Sequence, residues 1–473
     1  MGVPTLTLAC SVSTVGGLIY GYELGIISGA LLQLKEDFHL SALQQEGVVS
    51  SLLIGALLGS VVGGCVIDGY GRRNSILLSN ILVLGGTVLL LLGSFPTLVM
   101  GRVTVGLAVC ISSMSCCIFV SELVTPEHRG FLVSLYEAGI TVGVLAAYAI
   151  NYILSGYPHG WKWMFGFVFA PTLIQLALIW CLSSNPKRES DDNDRNSNIK
   201  GISRPCFSSF YLFEDNMRTR TVLALGLVLF QQFTGQPNVL LYASTIFCSA
   251  GFQSGSSAAL ASIGLGCVKV VATGVSMVFS DRVGRRPLLI SSCFIMALSL
   301  VIIGLLSGHL SEDVSVNATL PAELLHDPQP PREHTLVNWV LLLCLMAVVS
   351  AYAVGFGPMT WLLLSEIFPA DVRGRAFAFT SCFNWAANLV VSFTFLNAIE
   401  MIGLSGVFLV YGTVAVAAGL FFFFLLPETK GRTLEDIDRD LSRFHHQQKC
   451  WSFSSSVDSP LHYQRVDCQV SII

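Results

Sequence analysis

The sequence predicts an all-α membrane protein of twelve transmembrane helices, built as two six-helix halves. Three observations predict it. First, 53% of the 473 residues are hydrophobic and only 12% are charged, with a mean hydropathy of +0.68; soluble proteins carry about 25% charged residues. Second, apolar runs recur at about the 20-residue length that crosses a bilayer. Third, two clusters of charge and glycine each occur twice, once in each half.

The apolar runs place the spans at 10–32, 46–66, 75–95, 98–119, 132–153, 162–182, 221–243, 258–279, 288–307, 337–364, 377–399 and 405–426. Lys and Arg set their orientation. With a cytosolic N-terminus, the cytosolic side holds Arg72, Arg73, Arg129, the cations of the middle linker, Arg282, Arg285, Arg286, Arg373, Arg375 and those of the tail. The opposite side holds Lys35, Lys162 and Arg332. That asymmetry is the positive-inside pattern, and it puts both termini in the cytosol. The domain organisation is then 1–182 for the first half, 183–219 for a polar cytosolic linker, 220–426 for the second half and 427–473 for a cytosolic tail.

In chain order, the first span carries Glu23 at mid-depth, between Gly21 and Gly25. An intramembrane carboxylate is a functional candidate by default; the plainer reading is a carboxyl paired for structure. The stretch lacks a basic lead-in and is polar at Tyr20-Gly21-Tyr22-Glu23, so it reads as a span and not a cleavable signal. Gly55, Gly59 and Gly63 form a ladder of small residues that lets a neighbouring helix approach. Asp68-Gly69-Tyr70-Gly71-Arg72-Arg73 makes a tight turn, and Asp281-Arg282-Val283-Gly284-Arg285-Arg286 repeats it. Glu122 with Arg129-Gly130 is repeated by Glu366 with Arg373-Gly374. The second pair of repeats is further apart, by about the length of the external loop 308–336, which only the second half has. The 14 cysteines include no CxxC and read as packing residues with free thiols. Asn317-Ala318-Thr319 is a glycosylation sequon on the external side of this topology.

The stretch Gln231-Gln232-Phe233-Thr234-Gly235-Gln236-Pro237-Asn238 opens the second half. Carboxamides in hydrocarbon are costly unless paired, so they face a bundle interior or a cavity. Pro237 lacks an N–H and Gly235 loosens the same turn, so the helix is expected to break there. Broken helices at membrane depth line binding sites. The plainer alternative is that the glutamines only join helices.

This stretch resembles that of the sugar porter family, and the architecture resembles that of the major facilitator superfamily. Further motifs resemble its facilitative glucose transporters: Gly101-Arg102 with Gly106, Gly355-Phe356-Gly357-Pro358 before Trp361, Asn384-Trp385 before Asn388, and Pro427-Glu428-Thr429-Lys430-Gly431. Glu23, Gln236-Pro237-Asn238 and the position of the sequon are similar to the third class of that family. The resemblance implies that Gln231, Gln232 and Asn388 hydrogen-bond sugar hydroxyls, that Asn238 belongs to the same site, and that Trp361 offers an aromatic face. Gly357 and Pro358 are the implied hinge of the tenth span. Asp68, Arg72, Arg73, Glu122, Arg129, Asp281, Arg285, Glu366 and Arg373 are the implied cytosolic gating network. Glu23 facing Arg102 is similar to the coupling pair of proton-driven members. Four positions depart from the commoner glucose-carrier pattern: Glu137, Pro237 with Asn238 displaced by one, Lys269 and Ala353. Glu137 and Lys269 therefore remodel the site, and opposite charges so placed are expected to pair.

The expected function is facilitated transport of a hexose by alternating access, with glucose, dehydroascorbate or a polyol as substrate. The alternatives are a proton-coupled sugar or polyol symporter and a non-transporting sugar sensor. An enzyme is not expected: the chain has no nucleophile–base or metal-ligand cluster, and the nine His fall almost entirely in loops or tail. No cofactor or metal is expected. The expected partners are a small neutral sugar and the lipid bilayer, of the plasma membrane or an endomembrane. No basic patch stands outside the loops, which argues against a nucleic-acid partner. A monomer suffices for this activity.

Overall fold

The computed structural model describes residues 3–123, 129–181, 215–249, 255–319, 335–368 and 373–430, and their regular structure is helical throughout. The first half comprises α1 (Val3–Phe38), α2 (Ala42–Tyr70), α3 (Arg72–Leu91), α4 (Phe95–Leu123), α5 (Arg129–Leu154), α6 (Gly160–Gly166) and α7 (Phe169–Cys181). The second comprises α8 (Asp215–Phe233), α9 (Gln236–Leu241), α10 (Ala243–Ser249), α11 (Gly255–Val283), α12 (Arg285–Thr319), α13 (Thr335–Val354), α14 (Phe356–Ile367), α15 (Arg373–Phe393) and α16 (Phe395–Leu425). Eleven stretches among the described residues are helical, long and apolar enough to cross a membrane. The remaining expected span, the seventh, is interrupted and is made of α8 and α9.

Local chemistry explains the boundaries. Ser41 and Gln44 form a reciprocal capping box at the start of α2. Gly71, at φ +80°, turns α2 into α3. Glycines set the closest helix pairings. A Cβ on Gly55 would overlap the Val103 carbonyl, and one on Gly106 would overlap that of Leu52, so α2 and α4 meet backbone to backbone. Gly59 and Gly63 continue that contact against Cys110 and Met114, as the ladder predicts.

Within the first half, α1 packs on α5, and α4 on both α2 and α3. Within the second, α12 packs on α16 and α13, and α8 on α15. The halves meet along two seams, α2 against α15 and α5 against α11. One cluster of apolar side chains runs through both, from Ile26 and Leu52 to Leu265 and Phe356. The described cysteines carry free thiols.

Several elements differ from expectation. Helix α8 begins at Asp215, inside the expected linker, and Arg220 on it is buried and donates to the Ile367 carbonyl at 3.2 Å. Helix α12 continues to Thr319, because no proline stops it before Pro321. Asn317 thus stands in the last turn of a helix and not in a loop; its side chain lies outside the described residues. The eleventh span breaks at Thr394, and Gly403, at φ +72°, separates it from the last.

Candidate functional site

The seventh span breaks where its glycine and proline predict. Gly235 adopts φ +79°, and a Cβ there would overlap the Tyr411 ring, so the position excludes other residues twice over. Helix α9 restarts at Gln236 with Pro237 in its first turn, where the missing N–H leaves no bond unmade. The Asn238 amide fixes the break by donating to the Val391 carbonyl at 2.9 Å and the Tyr411 hydroxyl at 3.0 Å.

The tenth span breaks in a complementary way. The expected hinge was Gly357-Pro358, but the interruption falls at Gly355, with Gly357 and Pro358 inside the first turn of α14. The cause is tertiary: a Cβ on Gly355 would overlap Ser292 Oγ of α12. Pro358 still acts on the break, since it offers no N–H to the Val354 carbonyl four residues back. Ser276 of α11 takes that carbonyl instead, at 2.8 Å.

The two breaks face each other. Gln231 Nε2 donates to the Phe356 carbonyl at 3.1 Å, tying the seventh span to the tenth. Gln232 Nε2 donates to Asn384 Oδ1 of α15 at 2.6 Å. Each amide has spent its nitrogen on the scaffold and keeps its oxygen. Gln231 Oε1, Gln232 Oε1, Asn238 Oδ1 and Asn388 Oδ1 are buried with no protein hydrogen-bond partner. Gln236 Nε2 and Thr360 Oγ1 are in the same condition. Buried polar atoms are nearly always satisfied in native proteins. Such a set of free acceptors, carried on α8, α9 and α15, suits a ligand rich in hydroxyl donors.

The first half closes the other side. Tyr20 of α1 meets Trp385 of α15, ring centroids 6.0 Å apart, and Cys110 of α4 lies against the same indole. Glu137 of α5 faces the tenth-span break, where a Cβ on Gly357 would come within 3.5 Å of its Oε1. The charge facing Glu137 is that of Lys269 on α11, and Tyr20 and Tyr352 also lie within its field. The expected direct ion pair is not made: among the described residues, no nitrogen–oxygen ion pair within 4.0 Å joins Glu137 and Lys269. The two lie on opposite halves, so their separation is set by how the α5–α11 seam packs. Tyr20, Tyr352 and Trp385 border the candidate site without having been expected there; Tyr20 and Trp385 stand in stretches quoted above, Trp385 beside Asn384.

Trp361 stands apart from this group. Its ring lies tilted against that of Phe377, centroids 5.4 Å apart, and packs with a small cluster that includes Met217, Val228 and Leu364. Glu23 and Arg102 do meet. Arg102 Nη1 reaches both Glu23 Oε2 and the Glu23 carbonyl at 3.1 Å, and both side chains are fully buried. Of the residues expected in the charge network, Arg285 pairs with Glu366 at 3.4 Å, and Arg73 Nε donates to the Ile179 carbonyl at 3.4 Å. Arg72 has contacts as well. The side chains of Asp68, Glu122, Arg129, Asp281 and Arg373 lie outside the described residues. Glu428, quoted only within a motif, proves to be a centre of this region. It accepts the backbone N–H groups of Arg285 and Arg286 at 3.1 Å and that of Lys430 at 2.9 Å, while Lys430 Nζ donates to the Arg282 carbonyl.

Comparisons with known proteins bear on the family and the fold. A family model described as "Sugar (and other) transporter" matches residues 9–441. The chain is 51% identical to solute carrier family 2, facilitated glucose transporter member 10 of Danio rerio, over 98% of this chain and 99% of that one. It is 48% identical to the member 10 protein of Homo sapiens, over 94% and 96%, and 36% identical to the human member 12 protein, over 95% and 87%. Among solved structures it is similar to the proton:xylose symporter XylE bound to 6-bromo-6-deoxy-D-glucose. That match has a TM-score of 0.72 and 26% identity and covers 93% of this chain and 99% of the other. With its broken seventh and tenth helices and these relatives, the chain belongs to the sugar transporter family of the major facilitator superfamily.

Proposed function

We propose that the chain carries a hexose across the membrane by facilitated diffusion, the two halves rocking about the cluster between them. The supporting observation is the set of buried amide oxygens at Gln231, Gln232 and Asn388, which lack protein partners. Hydroxyl-rich, uncharged solutes satisfy such acceptors without bringing a charge into the membrane. Glucose is the proposed substrate, in line with the relatives named for its transport, and dehydroascorbate is a second one on the same chemistry. Glu137 and Lys269 shape the site, and Trp361 lies between it and the proposed cytosolic end. Both termini are proposed to be cytosolic, which leaves Asn317 on the glycosylated face. The charge clusters at the cytosolic ends act together as the inner gate.

A second reading is proton-coupled symport, in which Glu23, a carboxylate at membrane depth beside Arg102, would take up and release the proton. One experiment separates these. Purified protein in liposomes is given labelled glucose or dehydroascorbate, with and without an imposed inward proton gradient. Facilitated diffusion predicts saturable uptake that stops at equilibrium in both conditions. Accumulation above equilibrium, abolished by Glu23→Gln, would establish coupling instead. No saturable uptake of either solute would overturn the carrier reading.

A further inference from the structure

The eleventh span breaks at Thr394, and the new helix that follows is capped from the other half of the molecule. Thr394 holds the N-cap position of α16, but its hydroxyl turns back to the Val390 carbonyl at 2.8 Å and caps nothing. The first N–H groups of a helix have no partner within it. Those of Leu396 and Asn397 donate to Glu46 Oε1, at 3.0 and 3.2 Å. The Asn397 side chain donates to Glu46 Oε2 at 2.8 Å. Glu46 lies in the first turns of α2, 350 residues before Leu396 in the chain, and is fully buried. A buried carboxylate persists when it is hydrogen-bonded, and a helix N-terminus is where the backbone dipoles favour negative charge.

The position of this contact matters as much as its chemistry. Helix α2 runs from Glu46 towards the Gly71-Arg72-Arg73 turn, and α15 runs from Arg373 towards the break. The clasp therefore joins the two halves at the end away from the basic turns. Tyr148 of α5 donates to the Leu240 carbonyl of α9, at 2.8 Å, across the same division. Two further groups face Glu46: Glu400 of α16, whose like charge opposes it, and Tyr242, whose ring packs on Phe395 at 4.9 Å between centroids. Every bond that Glu46 makes here is to an N–H group that water can satisfy once the two ends part.

We propose that Glu46 is the latch of the outer gate: it holds the outer ends of the halves together in this conformation and lets go when that side opens. The proposal rests on the alternating-access reading above. The test measures the gate directly. Spin labels at Leu43 and Met401, which are 60% and 83% exposed, report the separation of the outer ends in full-length protein in lipid bilayers. The exposed native cysteines are replaced by serine. Glu46→Ala removes all three bonds. Asn397→Asp leaves α2 unaltered and sets a carboxylate against that of Glu46. Both variants are expected to increase the population of long separations at least threefold over the parent protein, with Glu46→Gln in between because it keeps one acceptor oxygen. If Glu46→Ala does not fold, Asn397→Asp decides. A folded variant with the parental distance distribution overturns the latch. Because this readout needs no solute, a failure of glucose uptake by the parent protein is scored separately and counts against the transport reading alone.

Discussion

Two pairs of opposite charges lie at membrane depth, and they are built differently. Glu23 and Arg102 belong to the same half, touch at 3.1 Å and are sealed from solvent. Glu137 and Lys269 belong to opposite halves, sense each other's charge and make no direct ion pair. A pair inside one rigid half stays closed through a rocking motion, so a short contact costs the motion nothing. A pair across the seam has to separate and return, and a tight buried bond there would hold one conformation against the other. On the proposed rocking motion, the difference marks which buried charges serve the scaffold of a half and which lie on the division between the halves.

The largest effect should follow from breaking the sealed pair. Glu23→Ala leaves the Arg102 guanidinium buried without its carboxylate, a loss of about 3–5 kcal/mol in stability. A thermal melt of the purified protein should show it as a large fall in midpoint, and an unchanged midpoint would mean that Arg102 finds another acceptor. The seam pair should couple less. In a double-mutant cycle of Glu137→Gln and Lys269→Gln, read as glucose affinity, the interaction should be on the order of 0.5–1 kcal/mol. A coupling as large as that of a direct buried pair would contradict the distinction. Smallest of the three is Glu366→Gln at the end that carries the basic turns. Its bond to Arg285 is 3.4 Å long and partly exposed, so its loss should shift the conformational balance by about 0.2–1 kcal/mol. Exchange of labelled glucose at equilibrium should slow by a few fold at most, with folding unaffected.

What could be read from the sequence followed the range of the interaction. The break at Gly235 was legible because a glycine and a proline in one turn act on their own backbone. The break in the tenth span was displaced from Gly357 to Gly355, since the cause is a serine on α12 that sequence spacing does not reveal. Asn238 was recognisable as a buried amide, but its attachment to Val391 and Tyr411 depends on how the second half packs. Glu46 carried no signal at all: it reads as an ordinary polar residue near the start of a helix, and only the fold brings it to Leu396 and Asn397. The buried glutamines were found for a general physical reason, the cost of an unpaired amide in hydrocarbon. That their nitrogens are engaged and their oxygens free is a matter of tertiary geometry.

The central claim is that these free oxygens on α8 and α15 bind the sugar. The most direct measurement is equilibrium binding of labelled D-glucose and L-glucose to purified protein, compared with Gln232→Ala and Asn388→Ala. Each lost hydrogen bond of about 1–3 kcal/mol predicts a dissociation constant for D-glucose raised roughly 5- to 150-fold, with L-glucose bound weakly throughout. D-glucose binding that is unchanged in both variants, or equal for the two enantiomers, would contradict the account.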